Sequence, residues 1–375
     1  MKVVAAGMAG VAPSQFGLIN VLKAGAAQLI VLHHLAFYGP MADHAGELFP
    51  DLVSWLASDA RIAVQVFLVI GGFLAAKSLA PTGHAGLADP LGAVWRRYVK
   101  LAPPFLAATL LAAAAGMLAA QWMTHDSISA PATIGQLAAH ALLLHGVLGY
   151  PALSAGAWYV AIDFQLYALA ALMAWGAGRT VKWPGLVLPL IAAAGVLLSL
   201  LHFNLDGGWD NWAPYFFGSY GMGMLAWWAG DARRTPRNMA LLAMLIVLPA
   251  LLALAAEFRS RIALALLTAC VLFLWGRARR DASGLAWSAV NALARTSYSV
   301  FLVHFPVCLL VNAAFTRFAP PEPGWQACGV LLAWGASIGA GAAFQRWVEA
   351  PLGRLFGAGT HYVSPAARER AARPA

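Results

Sequence analysis

A lysine and a histidine share one face of a strongly apolar segment near the start of the chain. Lys23 and His34 lie in VLKAGAAQLIVLHHLAFYG, residues 21–39. Eleven residues correspond to about 1100° of helical rotation, within about 20° of three turns, and to about 16 Å of rise. His33 points about 100° away. An ionisable group in such a segment indicates either a functional site or a polar pair satisfied by neighbouring helices. A histidine there could transfer a proton near neutral pH.

A carboxylate lies in a second apolar segment, AWYVAIDFQLYALAALMAW. Asp163 follows its start by about two turns, and Tyr167 lies one turn further on. A carboxylate in a membrane helix is either paired with a cation or lines a water-filled cavity. The spacing alone leaves both interpretations open.

Two further stretches place polar groups where an apolar segment begins. WRRYVKLAPPF contains Arg97 and Lys100, which are either ordinary surface charge or a site for a phosphorylated ligand. LARTSYSVFLVHFPV contains Ser297 and Tyr298 at its entrance and His304 about two turns in. In contrast, the Gly71-Gly72 pair predicts a close approach of two helices.

The composition places these segments in a membrane. The chain has 375 residues, of which 61% are hydrophobic and 10% charged, whereas a soluble domain is about one quarter charged. The net charge of +9 could suggest nucleic-acid binding, but the basic residues form short clusters between apolar segments. The three cysteines show no disulfide or metal-binding spacing. Eleven apolar segments are predicted, at about 18–38, 61–80, 101–122, 134–149, 156–177, 185–203, 213–230, 239–256, 261–276, 296–316 and 327–348.

The basic clusters predict how these segments cross the membrane. All of them lie on the cytoplasmic side only if one segment between residues 101 and 178 does not span. The shortest, 134–149, is the candidate and is predicted as a re-entrant or interfacial helix. We therefore expect an all-α polytopic bundle of about ten spanning helices, with 19 of the 24 Lys and Arg residues and both termini cytoplasmic. Residues 1–353 form one membrane domain, and 354–375 a basic, disordered cytoplasmic tail.

The order of these features resembles the acyltransferase 3 family of membrane-bound acyltransferases, which includes polysaccharide O-acetylases and nodulation-factor acyltransferases. The resemblance runs from about residue 18 to 353. It is carried by Lys23 and His34; Gly71-Gly72-Phe73; Arg97, Lys100 and Pro103; Trp158, Asp163 and Tyr167; Ser297, Tyr298 and His304; and Glu349 and Pro351.

Four positions depart from the family pattern, which marks a divergent branch. Lys23 and Lys100 replace arginines, Gly71 replaces a serine, and Asp163 replaces a glutamate. Each replacement keeps the charge or the small size. A bidentate arginine contact would nevertheless be lost at Lys23.

The resemblance implies transfer of an acyl group, most commonly acetyl, from cytoplasmic acyl-CoA to a hydroxyl of an extracytoplasmic carbohydrate or glycolipid. Acyl-CoA would be a co-substrate, with no bound cofactor or metal, in a bacterial-type inner membrane. His34 would be the base that accepts the hydroxyl proton. Asp163 would either orient His34 or pair with Lys23, and whether an acyl-histidine forms is open. The implied substrate-binding residues are Lys23, Arg97, Lys100, Trp158, Tyr167, Ser297, Tyr298 and His304.

Two functions of other classes are also compatible with polar groups at mid-membrane. A transporter or flippase of a polar or lipid-linked solute would favour an internal inverted repeat, and none is evident in the sequence. An inactive relative that serves as an assembly partner would fit the four departures. Thioester cleavage by the purified protein would distinguish an enzyme from a transporter and from an inactive assembly partner.

Overall fold

The chain folds into a bundle of helices. The computed structural model describes residues 13–84, 86–179, 185–231, 233–277 and 285–357, and these contain no β-strand. A 3₁₀ turn, Ala60–Ala63, leads into α4, and one turn of π-helix, Gln345–Glu349, joins α13 to α14. The helices are α1 (Pro13–Phe37), α2 (Pro40–Ala45), α3 (Pro50–Ser58), α4 (Val64–Leu79), α5 (Pro90–Ala119), α6 (Ile134–Ala141), α7 (Ala157–Ala177), α8 (Val187–Leu201), α9 (Ala213–Ala229), α10 (Pro236–Ala256), α11 (Ser260–Arg277), α12 (Leu285–Phe318), α13 (Pro323–Phe344) and α14 (Ala350–Gly357).

Most of the long helices can cross a membrane. Within the described residues, eight are long and apolar enough: α1, α4 with its 3₁₀ turn, α5, α7, α8, α10, α12 and α13. The other two predicted spans are α9, with 17 residues, and α11, whose apolar part is Ser260–Trp275. Fifteen of the 17 residues of α9 are buried, so neighbouring helices rather than lipid surround it. The predicted all-α polytopic bundle is therefore confirmed.

The segment 134–149 does not form a spanning helix, as predicted. Its only helix, α6, has eight residues, which correspond to about 12 Å. The Tyr98 hydroxyl donates to the carbonyl of Ala141, and the Gln165 amide donates to the carbonyl of Leu143. Because Tyr98 and Gln165 lie inside α5 and α7, the segment enters the bundle and returns, as a re-entrant element does. Leu143 and His145 of its non-helical part are buried, so protein covers the backbone at that point, as non-helical backbone at membrane depth requires.

The start of the third apolar segment differs from the prediction. Apolarity placed it at residue 101, whereas α5 begins at Pro90. Asp89 caps this helix by accepting from the backbone N–H of Gly92, and proline is favoured at the first helical position. Arg97 and Lys100 consequently lie on the helix rather than before it. The predicted start of α12 at residue 296 was late as well, because Ser288, Asn291 and Arg295 interrupt the apolar run of its first turns.

Two loops meet at one end of the bundle, and one of them carries Arg233 and Arg234. The guanidinium of Arg234 donates to the carbonyl of Thr82, and the indole of Trp227 donates to that of Pro81. These contacts bring the α4–α5 and α9–α10 connections together. We call this the basic end. The predicted clusters at Lys182, Arg279 and Arg280, the lead-in residues 1–12 and the tail residues 358–375 lie outside the described residues.

Two arginines at the opposite end have a structural explanation. Arg259 donates to the carbonyls of Leu200 and Asn204, and Arg261 also donates to the carbonyl of Asn204. These carbonyls close the C-terminal end of α8, where basic side chains are favourable. The two charges therefore stabilise a helix end.

The glycine pair in α4 permits the predicted close approach. A Cβ on Gly72 would lie 1.8 Å from the carbonyl oxygen of Tyr220 in α9. One on Gly223 of α9 would lie 1.9 Å from the carbonyl oxygen of Val69 in α4. The two backbones are thus in direct contact, which small residues allow in membrane helices.

Candidate active site

Two cavities lie one above the other along the axis of the bundle. The first, of about 280 Å³, lies toward the basic end and is lined by Lys23; we call it the Lys23 cavity. The second, of about 430 Å³, lies toward the opposite end and is lined by His34; we call it the His34 cavity. The rise of α1 separates the two residues by about 16 Å. Lys23 and His34, which were predicted to share one face of α1, thus line one cavity each.

The His34 cavity is lined by mixed polar and aromatic groups. α3 and its following turn, α7, α12 and the loop after α5 close it around the end of α1. Such a lining can hydrogen-bond several hydroxyls while presenting flat apolar surfaces to a ring. Its polar and aromatic lining residues are His33, His34, Phe37, Tyr38, Arg61, Asp126, Ser127, Ser129, Ser154, Trp158, Phe301 and Phe305.

His34 and His304 form a hydrogen-bonded pair. Nδ1 of His34 lies 2.7 Å from Nε2 of His304, and the rings are nearly parallel. Nδ1 of His304 lies 2.7 Å from the carbonyl oxygen of Phe301, which can only accept. Neutral His304 therefore carries its proton on Nδ1 and accepts through Nε2. His34 must then donate from Nδ1, which leaves the lone pair on its Nε2 atom as the basic site.

His33 lies in the same cavity although it occupies another face of α1. Its Nδ1 atom lies 2.9 Å from the carbonyl oxygen of Leu56 and so donates to it, which ties α1 to α3. The helical spacing separated His33 from the face of Lys23, but α3 folds over it and brings it to the cavity wall.

The Lys23 cavity is rich in charge. Four cations and two carboxylates line it: Lys23, Arg97, Lys100, Arg295, Asp163 and Glu349. Within the described part of the chain, Lys23 and Lys100 form no ion pair. Their ammonium groups are therefore available to an anion that enters from the basic end.

Arg97 and Asp163 form a salt bridge in the wall of this cavity. The guanidinium donates to the carboxylate, and the Asp163 side chain is only 7% exposed. The Arg97 guanidinium also lies over the ring of Tyr167, 5.3 Å from its centroid. Asp163 was expected either to orient His34 or to pair with Lys23, and among the described residues it makes neither contact. It pairs with Arg97 and lines the Lys23 cavity, whereas His34 lines the other cavity. A catalytic role for Asp163 stays a prediction.

A turn of π-helix carries Glu349 to the Lys23 cavity. Its carboxylate accepts a hydrogen bond from the Ser299 hydroxyl of α12. π-turns inside helical segments frequently occur at functional sites, because they shift the direction of a side chain. Here the turn lies where α13 passes into α14 and directs a carboxylate toward the two lysines.

The entrance of α12 is fixed to its neighbours. The Tyr298 hydroxyl donates to the carbonyl of Leu101 in α5, and the Ser297 hydroxyl donates to the carbonyl of Ala294 within α12. Both residues line the Lys23 cavity. The Tyr298 hydroxyl therefore ties α12 to α5, whereas the Ser297 hydroxyl is satisfied within α12.

The structure distributes the ten predicted site residues over both cavities. His34 and Trp158 line the His34 cavity, and His304 contacts His34 from behind. Six line the Lys23 cavity: Lys23, Arg97, Lys100, Asp163, Ser297 and Tyr298. Tyr167 contacts Arg97 outside it.

Several cavity residues were not predicted. Asp126 lies in the loop after α5, and Arg61 lies in the 3₁₀ turn before α4. In the sequence both resemble ordinary polar residues that connect two helices. Tyr159 and Phe301 are aromatic residues in apolar segments and carry no local signal that distinguishes them from core or lipid-facing residues. Only the packing of the helices reveals that they line a cavity.

Comparison with known proteins supports the same region of the chain. A family model described as an acyltransferase domain, that of the acyltransferase 3 family, matches residues 17–342. The match covers the helices from α1 through most of α13, and thus every predicted site residue. Searches of curated proteins and of solved structures returned no match.

Proposed function

We propose a reaction for this chain from the premise that it belongs to the acyltransferase 3 family, whose model matches it over most of its length. It is a multi-pass membrane protein of an acyltransferase family. The proposed reaction moves an acyl group, acetyl in the first instance, from acyl-CoA to a hydroxyl of an extracytoplasmic carbohydrate or glycolipid.

One observation carries the proposal: a cation-rich cavity and a histidine cavity lie toward opposite ends of the bundle. CoA is a polyanion, and ammonium groups bind phosphates as point charges. Lys23, Lys100 and Arg295 could hold it at the basic end. The thioester end of the donor would then extend along α1 toward His34.

The histidine pair supplies the chemistry. The acceptor hydroxyl would bind in the His34 cavity and give its proton to Nε2 of His34 as its oxygen attacks the thioester carbonyl carbon. The C–S bond breaks, the acyl group remains on the acceptor oxygen, and the CoA sulfur takes a proton from the imidazolium. His304, by accepting from Nδ1, would orient the ring and stabilise its protonated form.

The proposed sidedness rests on the distribution of charge. By the positive-inside rule the basic end would be cytoplasmic, with both termini on that side of a bacterial-type inner membrane. The Lys23 cavity would then face the cytoplasmic acyl-CoA, and the His34 cavity the extracytoplasmic acceptor.

Thioester cleavage by the purified protein tests this function. Protein reconstituted with glycolipid and polysaccharide extracted from source cells should release CoA from acetyl-CoA and label the acceptor. His34→Ala should lower both by about a hundredfold or more, whereas Gly339→Ala, at an exposed position with open space around it, should not. A folded protein that cleaves no acyl-CoA under these conditions would reject the proposal.

The two cavities would also suit a transporter that binds a polar solute from either side. That function predicts solute uptake into proteoliposomes without thioester cleavage, with the His34–His304 pair acting only in proton transfer. Cleavage of acyl-CoA that depends on His34 therefore separates the two functions.

A further inference from the structure

One side chain separates the two cavities. Among the described residues, Phe301 alone lines both the Lys23 cavity and the His34 cavity. It lies on α12, one turn before His304, and is 6% exposed. Its backbone carbonyl fixes the tautomer of His304, so the same residue contacts the histidine pair and closes the space below it.

Phe301 belongs to a cluster of three rings from three helices. Its centroid lies 5.4 Å from that of Tyr159 in α7 and 6.4 Å from that of Phe67 in α4. Phe67 and Tyr159 are themselves 6.0 Å apart and line the Lys23 cavity alone. We call these three residues the aromatic partition. They are in mutual contact across the axis on which the donor must travel.

The Phe301 ring packs directly against a glycine. A Cβ on Gly156 would lie 2.7 Å from one ring atom of Phe301 and 2.8 Å from another. Beside the ring is a small void of about 10 Å³, bounded also by Phe105 and Thr109. This void is far smaller than a ring, so a displaced Phe301 ring cannot enter it and must turn into one of the two cavities that it lines.

We propose that Phe301 is a specificity-determining residue that the acyl-bearing end of the donor must displace to reach His34. This inference rests on the proposed function. A closed ring keeps the two aqueous spaces apart between reactions. Every donor opens the partition, because the pantetheine arm follows the acyl group through it. A long acyl chain also needs room beside the Phe301 ring in the His34 cavity, whereas a short one does not. Phe301 thus limits the reaction to short acyl groups.

A series of donors of increasing chain length tests this role. Acetyl-, butyryl-, hexanoyl- and octanoyl-CoA are compared on the reconstituted protein, with CoA release as the readout. Phe301→Ala should raise kcat/KM for octanoyl-CoA relative to acetyl-CoA at least tenfold, and Phe301→Leu should do so to a smaller extent. Phe217→Ala truncates an equally buried ring that lines neither cavity and should leave this ratio unchanged. An unchanged ratio in both well-folded Phe301 variants would overturn the inference.

A second measurement needs no acyl transfer. Proteoliposomes loaded with a pH-sensitive dye report proton leak after an external pH step. Phe301→Ala should leak several-fold faster than the wild type and Phe217→Ala, because the partition is opened. Equal leak rates together with an unchanged donor profile would show that another element separates the cavities. A wild type that cleaves no acyl-CoA would reject the proposed function, while the leak measurement would still decide whether Phe301 is the barrier.

Discussion

Nδ1 of His34 donates a hydrogen bond to Nε2 of His304, across 2.7 Å and between helices 270 residues apart in the chain. The carbonyl of Phe301 determines the direction of this bond, because it requires the proton of His304 on Nδ1. The His304 imidazole orients the His34 imidazole through this hydrogen bond, as the carboxylate of a catalytic triad orients its histidine base. Since His304 is neutral in this state, it orients His34 without adding a buried negative charge.

The His34–His304 bond yields a prediction on the rate of acyl transfer. His34→Ala should lower kcat by about 10²–10⁴-fold, the usual contribution of a general base. His304→Gln retains an acceptor oxygen for the His34 proton and should keep more activity than His304→Leu, which has none. Steady-state kinetics with acetyl-CoA measure the order. Equal losses in the two His304 variants, with unchanged thermal stability, would contradict the orienting role.

His33 gives the matched control for that experiment. It neighbours His34 and lines the same cavity, but its Nδ1 atom donates to the carbonyl of Leu56 and it takes no part in the histidine pair. His33→Ala should therefore retain most of kcat. A larger loss of kcat in His33→Ala than in His34→Ala would mean that His33, and not His34, is the base.

Lys23 is predicted to act in donor binding more than in the chemical step. A charge-assisted contact contributes roughly 1.5–3 kcal/mol, so Lys23→Ala should raise the KM for acyl-CoA about tenfold or more while changing kcat less. Lys23→Arg, which restores the family residue, should be tolerated. Lys77 lies near the same end over Trp227 and lines neither cavity, so Lys77→Ala is the control. A change confined to kcat would indicate a catalytic role for Lys23.

The sequence was sufficient for the helical bundle because apolarity is a local property. Segments such as α8 and α10 are almost wholly apolar, and the alternation of basic and acidic loops identified 134–149 as the segment that does not span. The starts of α5 and α12 were missed because Arg97 and Lys100 in α5, and Asn291 and Arg295 in α12, interrupt the apolar stretches. Asp89 and Pro90 carried the helix-start signal for α5.

The sequence indicated which residues belong to the site but not which of them contact each other. The types and order of Lys23, His34 and Asp163 indicated chemistry, but their partners are set by the packing of helices far apart in the chain. The choice of Arg97 as the partner of Asp163 depends on where α5 lies against α7. Phe301 carried no signal at all, since an aromatic residue in an apolar helix is the commonest of core residues.

The Arg97–Asp163 pair predicts a stability effect that is separable from activity. Asp163→Asn leaves a largely buried guanidinium without its counter-charge and should cost about 3 kcal/mol, the lower end for buried pairs because Arg97 keeps 27% exposure. The double variant Arg97→Met with Asp163→Leu should recover much of that loss. Thermal unfolding in detergent measures both. If the double variant were less stable than Asp163→Asn, the pair would stabilise the protein by more than the neutralisation of two buried charges.

The contact between α4 and α9 predicts a packing effect. Gly72→Ala and Gly223→Ala each place a methyl group on a backbone carbonyl of the other helix and should destabilise the protein by about 1–3 kcal/mol or more. Gly339→Ala, in α13, has open space around it and should be neutral or slightly stabilising. The three melting temperatures are compared at one detergent concentration. A neutral Gly72→Ala would show that the two helices can separate at little cost.

The re-entrant segment 134–149 predicts which loops share a side of the membrane. Single cysteines are introduced at three exposed positions, after the three native cysteines are replaced by serine. Thr124 and Ala152, before and after the segment, should both react with an impermeant maleimide applied to intact cells. Thr235, at the start of α10 and the basic end, should react only after the cells are opened. Labelling of Thr124 and Thr235 from outside, with Ala152 protected, would mean that 134–149 spans. The Lys23 and His34 cavities would then have to be reassigned to the two sides of the membrane.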